Sequence, residues 1–363
     1  MSALSPWNTS GVFCAPYRSP FLMTSTACFG SISWLPLSST TQMRFPLLSP
    51  ACLTHALRPS GWGRLACLLA FGLLYTAPFL AFAETRALLI LSDTSPAYQA
   101  FAEALGRSLG RASPAIRLQI LPLSQYRELP PRIEESESLI ITAGTPAAEA
   151  LVERGTRVPR LMSLITRASH ARLAGNRTGG VYIDQPPSRY VALVRAALPH
   201  YERIGLLVGR DSEQTANAIA STARTRGLQV LTAGVHQESD IHPGLRGFFE
   251  APTVLLALPD DTVFNARTLP GILLASFRWH APTVGYSPAY VSAGAVVALY
   301  SPEQIAVQTA SQVLAMLSGT PPAAQYPQQY TIGVNARVAS SLGLQLDDEA
   351  SIRARLEKLE RQQ

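Results

Sequence analysis

Short apolar runs alternate with stretches of helical spacing along most of this chain, beginning near residue 87. The run 87–92 is rich in Leu and Ile, and in the following segment 96–110 apolar residues recur at three- and four-residue steps. The pairing repeats in two series, separated by Gly179 and Gly180. Alternating units of this length predict an α/β fold of two lobes, with parallel sheets covered on both faces.

The predicted elements follow the chain in order. Strands are predicted at residues 87–92, 116–121, 138–143, 159–165, 203–208, 228–233, 253–258 and 283–286. Helices are predicted at residues 96–110, 146–154, 187–198, 212–226 and 262–279. The stretch 236–250 is expected to be irregular, with a short helix near 243–249 at most, because Pro243, Gly244 and Gly247 interrupt it. The tail 347–363 has acids first and bases last, which suits the helix dipole and predicts a surface helix.

The composition changes completely between Ala83 and Glu84. Residues 1–83 contain no Asp or Glu and hold all four cysteines. A basic flank precedes the apolar run 65–77, and a small-residue triplet ends at Ala83, which are the parts of a secretory signal peptide. We therefore predict a signal peptide at 43–83, cleaved after Ala83, with a retained membrane anchor as the alternative. The run is shorter than the about 20 apolar residues that span a bilayer, which favours cleavage.

The segments on either side of this leader need separate treatment. Residues 1–42 show no sustained periodicity and are expected to be a disordered extension or a mis-assigned start. The part of the chain beyond Ala83 contains 26 of the 30 basic residues and all 24 acidic residues, so its net charge is about +2, compared with +6 for the whole chain. That balance gives no support to nucleic-acid binding. The lack of cysteine there excludes disulfides, zinc–thiolate sites and a thiol nucleophile.

Several separated segments, taken in their order, resemble one family. They are Ile140-Ile-Thr-Ala-Gly-Thr-Pro-Ala-Ala148, Gly175-Asn-Arg-Thr-Gly179, Arg203-Ile-Gly-Leu-Leu-Val-Gly209, Leu258-Pro-Asp-Asp-Thr262, Val291-Ser-Ala-Gly-Ala295 and Asn335-Ala-Arg-Val-Ala339. This set resembles the substrate-binding proteins of ABC importers, in the branch that binds tryptophan and other amino acids and has the type I periplasmic-binding-protein fold. The resemblance covers residues 86–346.

The resemblance implies two Rossmann-like lobes joined by three hinge crossovers, with the ligand in the cleft between them. The crossovers are expected near residues 178–184, 283–287 and 330–334. Lobe 1 is then predicted to comprise residues 84–180 and 287–329, and lobe 2 residues 181–286 and 330–346, followed by the surface helix 347–363. The resemblance also implies a periplasmic, monomeric protein, which contacts a membrane only through its permease or an uncleaved signal.

Physical chemistry points to the strand ends as the ligand site, because ligands of open parallel sheets bind beyond the carboxyl ends of the strands. Ser92 and Asp93 follow the first strand, and Thr145 begins a helix whose free amides would accept an anion. Tyr286 and Ser287 follow the last predicted strand, where the ring could stack on an apolar ligand or pack in the core.

Charged residues complete the predicted site. One of the adjacent acids Asp260 and Asp261 is expected to cap the next helix, which leaves the other to pair with an ammonium group. Asp260 is favoured for the ligand because it matches the family's acid in this loop. Arg167 stands where the family usually has an Asp-Pro pair, so an anionic ligand is also a possibility, against an exposed loop arginine.

No enzyme signature accompanies these residues. The chain has no H-E-x-x-H or G-x-x-x-x-G-K motif, and its histidines after Ala83 are scattered, so neither catalysis, a cofactor nor a metal is predicted. The predicted function is that of an exported binder of an amino acid or small organic anion, which delivers it to an ABC-type membrane permease. The alternatives are a periplasmic sensor that signals to a membrane receptor and, less favoured, a hydrolase on the same fold.

Overall fold

The computed structural model describes residues 85–362; the predicted leader and extension lie outside them. The strands are β1 Thr85–Leu91, β2 Ile116–Pro122, β3 Leu139–Ala143, β4 Arg160–Ile165, β5 Thr178–Tyr182, β6 Arg203–Val208, β7 Gln229–Gly234, β8 Val254–Leu256, β9 Thr283–Gly285, β10 Val297–Tyr300, β11 Ala324–Gln325 and β12 Thr331–Val334. The helices are α1 Pro96–Ala112, α2 Leu123–Glu128, α3 Thr145–Glu153, α4 Arg167–Leu173, α5 Pro187–Ala197, α6 Glu213–Thr225, α7 Ile241–Phe248, α8 Leu269–Arg278, α9 Pro288–Ala293, α10 Pro302–Leu317, α11 Ala336–Ser341 and α12 Glu349–Glu360. None of the helices in this range is both long and apolar enough to cross a membrane.

The strands form two sheets of six. The first, in lobe 1, has the order β11-β5-β4-β3-β1-β2, and all its neighbours pair in parallel. The second, in lobe 2, has the order β12-β10-β9-β8-β6-β7, and only β12 runs antiparallel to its neighbour. The predicted fold class, two α/β lobes with mostly parallel sheets, is therefore confirmed.

Each sheet is covered by helices on both faces, as alternation within the strands requires. In lobe 1, Leu89 and Leu91 of β1 pack against α1 and α10, whereas Leu88 and Ile90 pack against α2 and α3. In lobe 2, one face packs against α5, α6 and α12, and the other against α7 and α8. The fully buried strands β3 and β8 read as continuous apolar runs for this reason.

The chain crosses between the lobes at residues 183–186, at Ser301 and at residues 326–330. The second crossing corrects the predicted position at 283–287 and the assignment of 287–300 to lobe 1. Strand β10 pairs with β9 and β12, so these residues belong to lobe 2. The four-residue strand Val297–Tyr300 lies past the last strand that the sequence pattern predicted, and the crossing follows it.

Three local predictions also change. The stretch expected to be irregular contains the regular helix α7, since Pro243 falls in its first turn and Ile241, Leu245 and Phe248 form one buried face. Gly244 is required there because a Cβ atom would lie 2.9 Å from side-chain atoms of both flanking strands, β6 and β7. Helix α8 starts at residue 269, seven residues later than predicted. Helix α12 is not a free surface helix, because it packs on α5 and buries two apolar side chains completely.

Candidate ligand-binding cleft

A cavity of ≈330 Å³ lies between the lobes, beyond the carboxyl ends of their strands. Its walls are mostly apolar and come from both lobes and from two crossovers. The lining residues are Ala97, Tyr98, Ala100, Phe101, Leu164, Ile183, Tyr286, Ser287, Pro288, Ser301, Pro302, Glu303 and Ile305. This is the place where a doubly wound sheet binds ligands.

Tyr98 lies on the lobe 1 wall, and behind it Ser92 and Gly144 contact its hydroxyl without lining the cavity themselves. The Ser92 hydroxyl donates to the Ala143 carbonyl at 2.7 Å, accepts from the Ala147 amide at 3.1 Å and hydrogen bonds to the Tyr98 phenol. Gly144 has φ +90°, and a Cβ atom there would overlap the Tyr98 hydroxyl, so only glycine allows this packing. Ser92 therefore affects the cleft indirectly, by holding the Tyr98 hydroxyl in place.

Thr145, a predicted site residue, does not cap helix α3. Gly144 is the N-cap residue and has no side chain to give, while Thr145 is the first helical residue. The hydroxyl of Ser92, brought from β1, satisfies the amide of Ala147 instead. Pro146 has no N–H, and Thr145 itself is not among the residues that line the cavity.

Leu164 completes the lobe 1 wall through an irregularity in strand β4. The pairing of β4 with β5 shifts register between Ser163 and Ile165, and Leu164 has φ +53°, an uncommon value for a branched side chain. The shift lets Leu164 line the cavity instead of continuing the strand alternation. Strain of this kind is often retained at a binding site.

Tyr286 and Ser287, both predicted site residues, line the lobe 2 wall of the cavity. The Tyr286 ring packs on the buried ring of Tyr290, with 4.7 Å between ring centroids, which fixes its orientation. The pKa of Tyr286 is raised to about 12, mainly by burial. A hydrogen bond with Tyr290 acts to lower it, and the nearby charge of Asp261 acts to raise it. Tyr286 is therefore a neutral phenol whose ring is held in place by the ring of Tyr290.

Carboxylates surround the two tyrosines. Burial, with the charges of Asp93 and Asp261, raises the pKa of Tyr98 to about 12. Asp93 is exposed and accepts from the Ser95 amide at 2.6 Å, so it holds the turn before α1 and puts a negative charge at the cleft. The one charged residue among those that line the cavity, Glu303, is acidic as well.

The two adjacent acids differ in burial, and it is Asp260, the one favoured for the ligand in the sequence, that is engaged within the protein. Asp260 is 2% exposed, and its oxygens accept from the Asp211 and Ser212 amides, the Ser212 hydroxyl and the Thr262 amide at 2.7–3.1 Å. It clamps two loops of lobe 2. Asp261 is exposed and close enough to Tyr98 and Tyr286 to raise the pKa of both.

Arg167 lies at the hinge and is absent from the cavity lining. Its side chain hydrogen bonds to Tyr326 of the third crossover, and its amide donates to Asp184 at 2.6 Å. The guanidinium is therefore engaged with the third crossover and does not line this cavity. The sequence pattern did not single out Tyr98, Leu164 or Asp184. Of these, Tyr98 carried a positional signal, because it lies two residues after Pro96 in the first turn of a predicted helix.

A larger hollow of ≈670 Å³ lies on lobe 2 alone, beyond the ends of β6 and β7. Arg210, Glu213, Asn217 and His236 line it, and all four are exposed. Because no residue of lobe 1 contributes, movement of the lobes would not enclose a ligand there. We therefore place the ligand site in the smaller interlobe cavity.

Two mostly parallel α/β lobes, three crossovers and a cavity between the lobes define a type I periplasmic-binding-protein fold. Residues 131–358 match the family model described as ABC transporter substrate binding protein. The chain belongs to this family. Its members are substrate-binding proteins, which in general are exported, bind a small molecule, are not enzymes and have an ABC permease as their partner.

Solved structures share the fold at low sequence identity. A conserved domain protein from Vibrio cholerae O1 biovar El Tor is 22% identical with a TM-score of 0.59, covering 75% of this chain and 98% of its own. An ABC domain from Streptococcus pneumoniae in complex with L-Trp is 18% identical with a TM-score of 0.59, covering 75% and 98%. A ligand-free, open substrate-binding protein with adhesive properties from Clostridium difficile is 15% identical with a TM-score of 0.59, covering 74% and 97%. Curated protein sequences give no match.

Proposed function

We propose that this chain is an exported solute-binding protein of an ABC-type importer, whose ligand has an apolar or aromatic body and no net negative charge. The observation that carries the proposal is the lining of the interlobe cavity, where Tyr98 and Tyr286 lie on opposite walls and no Arg, Lys or His is present. Such a site gains affinity from apolar contact and aromatic stacking.

The acids favour an ammonium group on the ligand. Asp261 is close to both tyrosines and Asp93 is close to one of them, so a cation held between the rings would gain from both charges. Partial burial, followed by the charges of Asp260 and Asp211, raises the pKa of Asp261, so a cationic group beside it would stabilise its ionised form. Of the two ligand classes expected from sequence, the amino-acid class fits this cleft better than the organic-anion class.

Matched ligands test this charge preference directly. L-tryptophan, tryptamine and indole-3-acetate share one ring system and differ in charge, and the S. pneumoniae neighbour was crystallised with the first of them. The chain from Glu84 onward should show a thermal shift with tryptamine or L-tryptophan, since a ligand at about 100 times its Kd adds about 2.7 kcal/mol of stability. A shift with indole-3-acetate alone would contradict the proposal.

Delivery and export make separate tests. We propose a monomeric periplasmic protein, cleaved after Ala83, which hands its ligand to a membrane permease and catalyses no reaction on it. N-terminal sequencing of the protein from the cell envelope should begin at Glu84; a start before residue 65 would show a retained anchor. Mass spectrometry of the ligand after incubation should recover it unchanged, and a converted product would favour the hydrolase alternative.

A further inference from the structure

Asp184 sits on the first crossover, between a helix of lobe 1 and a helix of lobe 2. Its side chain is 1% exposed. One carboxylate oxygen accepts from the Arg167 amide at 2.6 Å, which is the first residue of α4 in lobe 1. The other accepts from the Thr215 hydroxyl at 3.3 Å, in the first turn of α6 in lobe 2. One buried carboxyl therefore bridges the two lobes.

Titratable side chains from four surrounding elements face this carboxyl. The Arg167 guanidinium approaches from α4, and the phenols of Tyr182, Tyr190 and Tyr326 approach from β5, α5 and the third crossover. Tyr182 and Tyr326 pack edge to face at 5.2 Å, and Tyr326 hydrogen bonds to Arg167. The single positive charge in this set is already shared with Tyr326, so ionised Asp184 lacks an exclusive counter-ion.

Burial dominates the electrostatics of the bridge. It raises the pKa of Asp184 to about 6, although the hydrogen bonds from Arg167 and Thr215 and the Arg167 charge act in the opposite direction. A carboxyl whose ionised form is penalised by burial will favour any lobe arrangement that admits water to it once it loses its proton.

We propose that Asp184 is the positioning residue of the cleft: its carboxyl ties α4 to α6, holds the lobes in the arrangement seen here when it is neutral, and releases them toward more hydrated arrangements when it is ionised. The consequence for ligand affinity rests on the proposed function, because the spacing of the lobes sets the fit of Tyr98 and Tyr286 around a ligand. The lobe movement itself does not depend on any ligand.

The test measures the interlobe distance without ligand. No cysteine follows residue 83, so Ser311→Cys on α10 and Ser221→Cys on α6, both exposed, can carry two spin labels, one on each lobe. The distance distribution should be narrower at about pH 5 than at about pH 7.5. Asp184→Asn in the same background should give the narrow distribution at both pH values. An unchanged distribution in the parent, or a pH response that persists in Asp184→Asn, would overturn the proposal.

A second variant tests the lobe 2 side without touching the carboxyl. Thr215→Val removes the hydroxyl and keeps the shape, and it should broaden the distribution at about pH 5, where the neutral carboxyl holds the lobes. Thr222→Val is the matched control, because this partly buried hydroxyl on the same helix bonds only to the Ala218 carbonyl. Equal distributions for the two variants would refute the bridge. If the distances respond but tryptamine does not bind, the proposed function fails and the positioning role stands.

Discussion

The cleft and the hinge lie side by side, yet they differ in whether their polar groups have partners within the protein. The cavity presents aromatic and aliphatic surface, with carboxylates at its edge that have no cationic partner among the lining residues. In the hinge, Asp184, Gln185 and Ser301 are at most 3% exposed and each is hydrogen bonded within the protein. The polar groups of the hinge are thus satisfied within the fold, whereas under the proposed function the carboxylates at the edge of the cavity are available to a ligand.

Arg189 is the centre of the hinge network. Its guanidinium donates to the Gln185 side chain and the Pro327 carbonyl, both at 2.8 Å, and to Glu360 of α12 at 2.6 Å. Gln185 in turn donates to Ser301 at 2.8 Å, so all three crossovers meet at one cation. Helix α12, the last element of the chain, is thereby connected to the hinge.

The largest effect is expected from breaking this network. Arg189→Ala leaves Glu360, Gln185 and the Pro327 carbonyl without their donor, and removing one partner of a buried pair costs about 3 kcal/mol or more. Unfolding in urea should show the loss. Arg172→Ala, which breaks an exposed pair with Glu149, is the control and should change stability by less than about 1 kcal/mol. Equal losses in the two variants would remove the distinction between the hinge and the surface.

The pH dependence of stability gives the second effect. The pKa of Asp184 is raised from 3.8 to about 6, so between these values the folded state binds more protons than the unfolded chain. Its contribution to stability is therefore fully present below about pH 4 and falls by up to about 3 kcal/mol as the pH rises through about 6.

Asp184→Asn should remove that part of the pH profile, as measured by urea unfolding between about pH 4 and 7. Asp348→Asn provides the comparison, because the pKa of this exposed helix cap is lowered, with the Ser351 amide as the main cause. Its contribution is present above about pH 4 and is lost on acidification, the opposite sign. A profile for Asp184→Asn that matches the parent would place the acid response outside the hinge.

A cleft variant should instead change binding more than folding. Tyr286→Ala removes one of the two facing rings and should weaken binding of tryptamine by about 2 kcal/mol, or about 30-fold, by calorimetry. Phe277→Ala is a suitable control, since this ring is 44% exposed on α8 and does not line the cavity. Unchanged affinity in the Tyr286 variant would place the ligand elsewhere.

The sequence predicted the fold well and the site only in part, for reasons that particular residues make clear. The hydrophobic periodicities typical of strands and helices are clear in the sequence, so the two α/β lobes could be predicted from it. Which of Asp260 and Asp261 turns inward depends on the loop geometry around Ser212, which lies 48 residues away. Arg167 resembled a cleft residue because it follows a strand end, but its partners Asp184 and Tyr326 come from two crossovers whose positions only the assembled lobes define.

The smallest expected effect separates the two acids. Asp261→Asn removes a charge near both tyrosines and should lower the affinity for tryptamine by about 1 kcal/mol, with no change for uncharged indole and a smaller difference at high salt. Asp260→Asn should do the reverse: it replaces an acceptor of four hydrogen bonds, so it should reduce folding stability by about 1–3 kcal/mol and leave the preference of tryptamine over indole intact. If Asp260→Asn abolished that preference while Asp261→Asn preserved it, the acid favoured from the sequence would be the ligand's partner after all, and the lobe 2 clamp would have to open on binding.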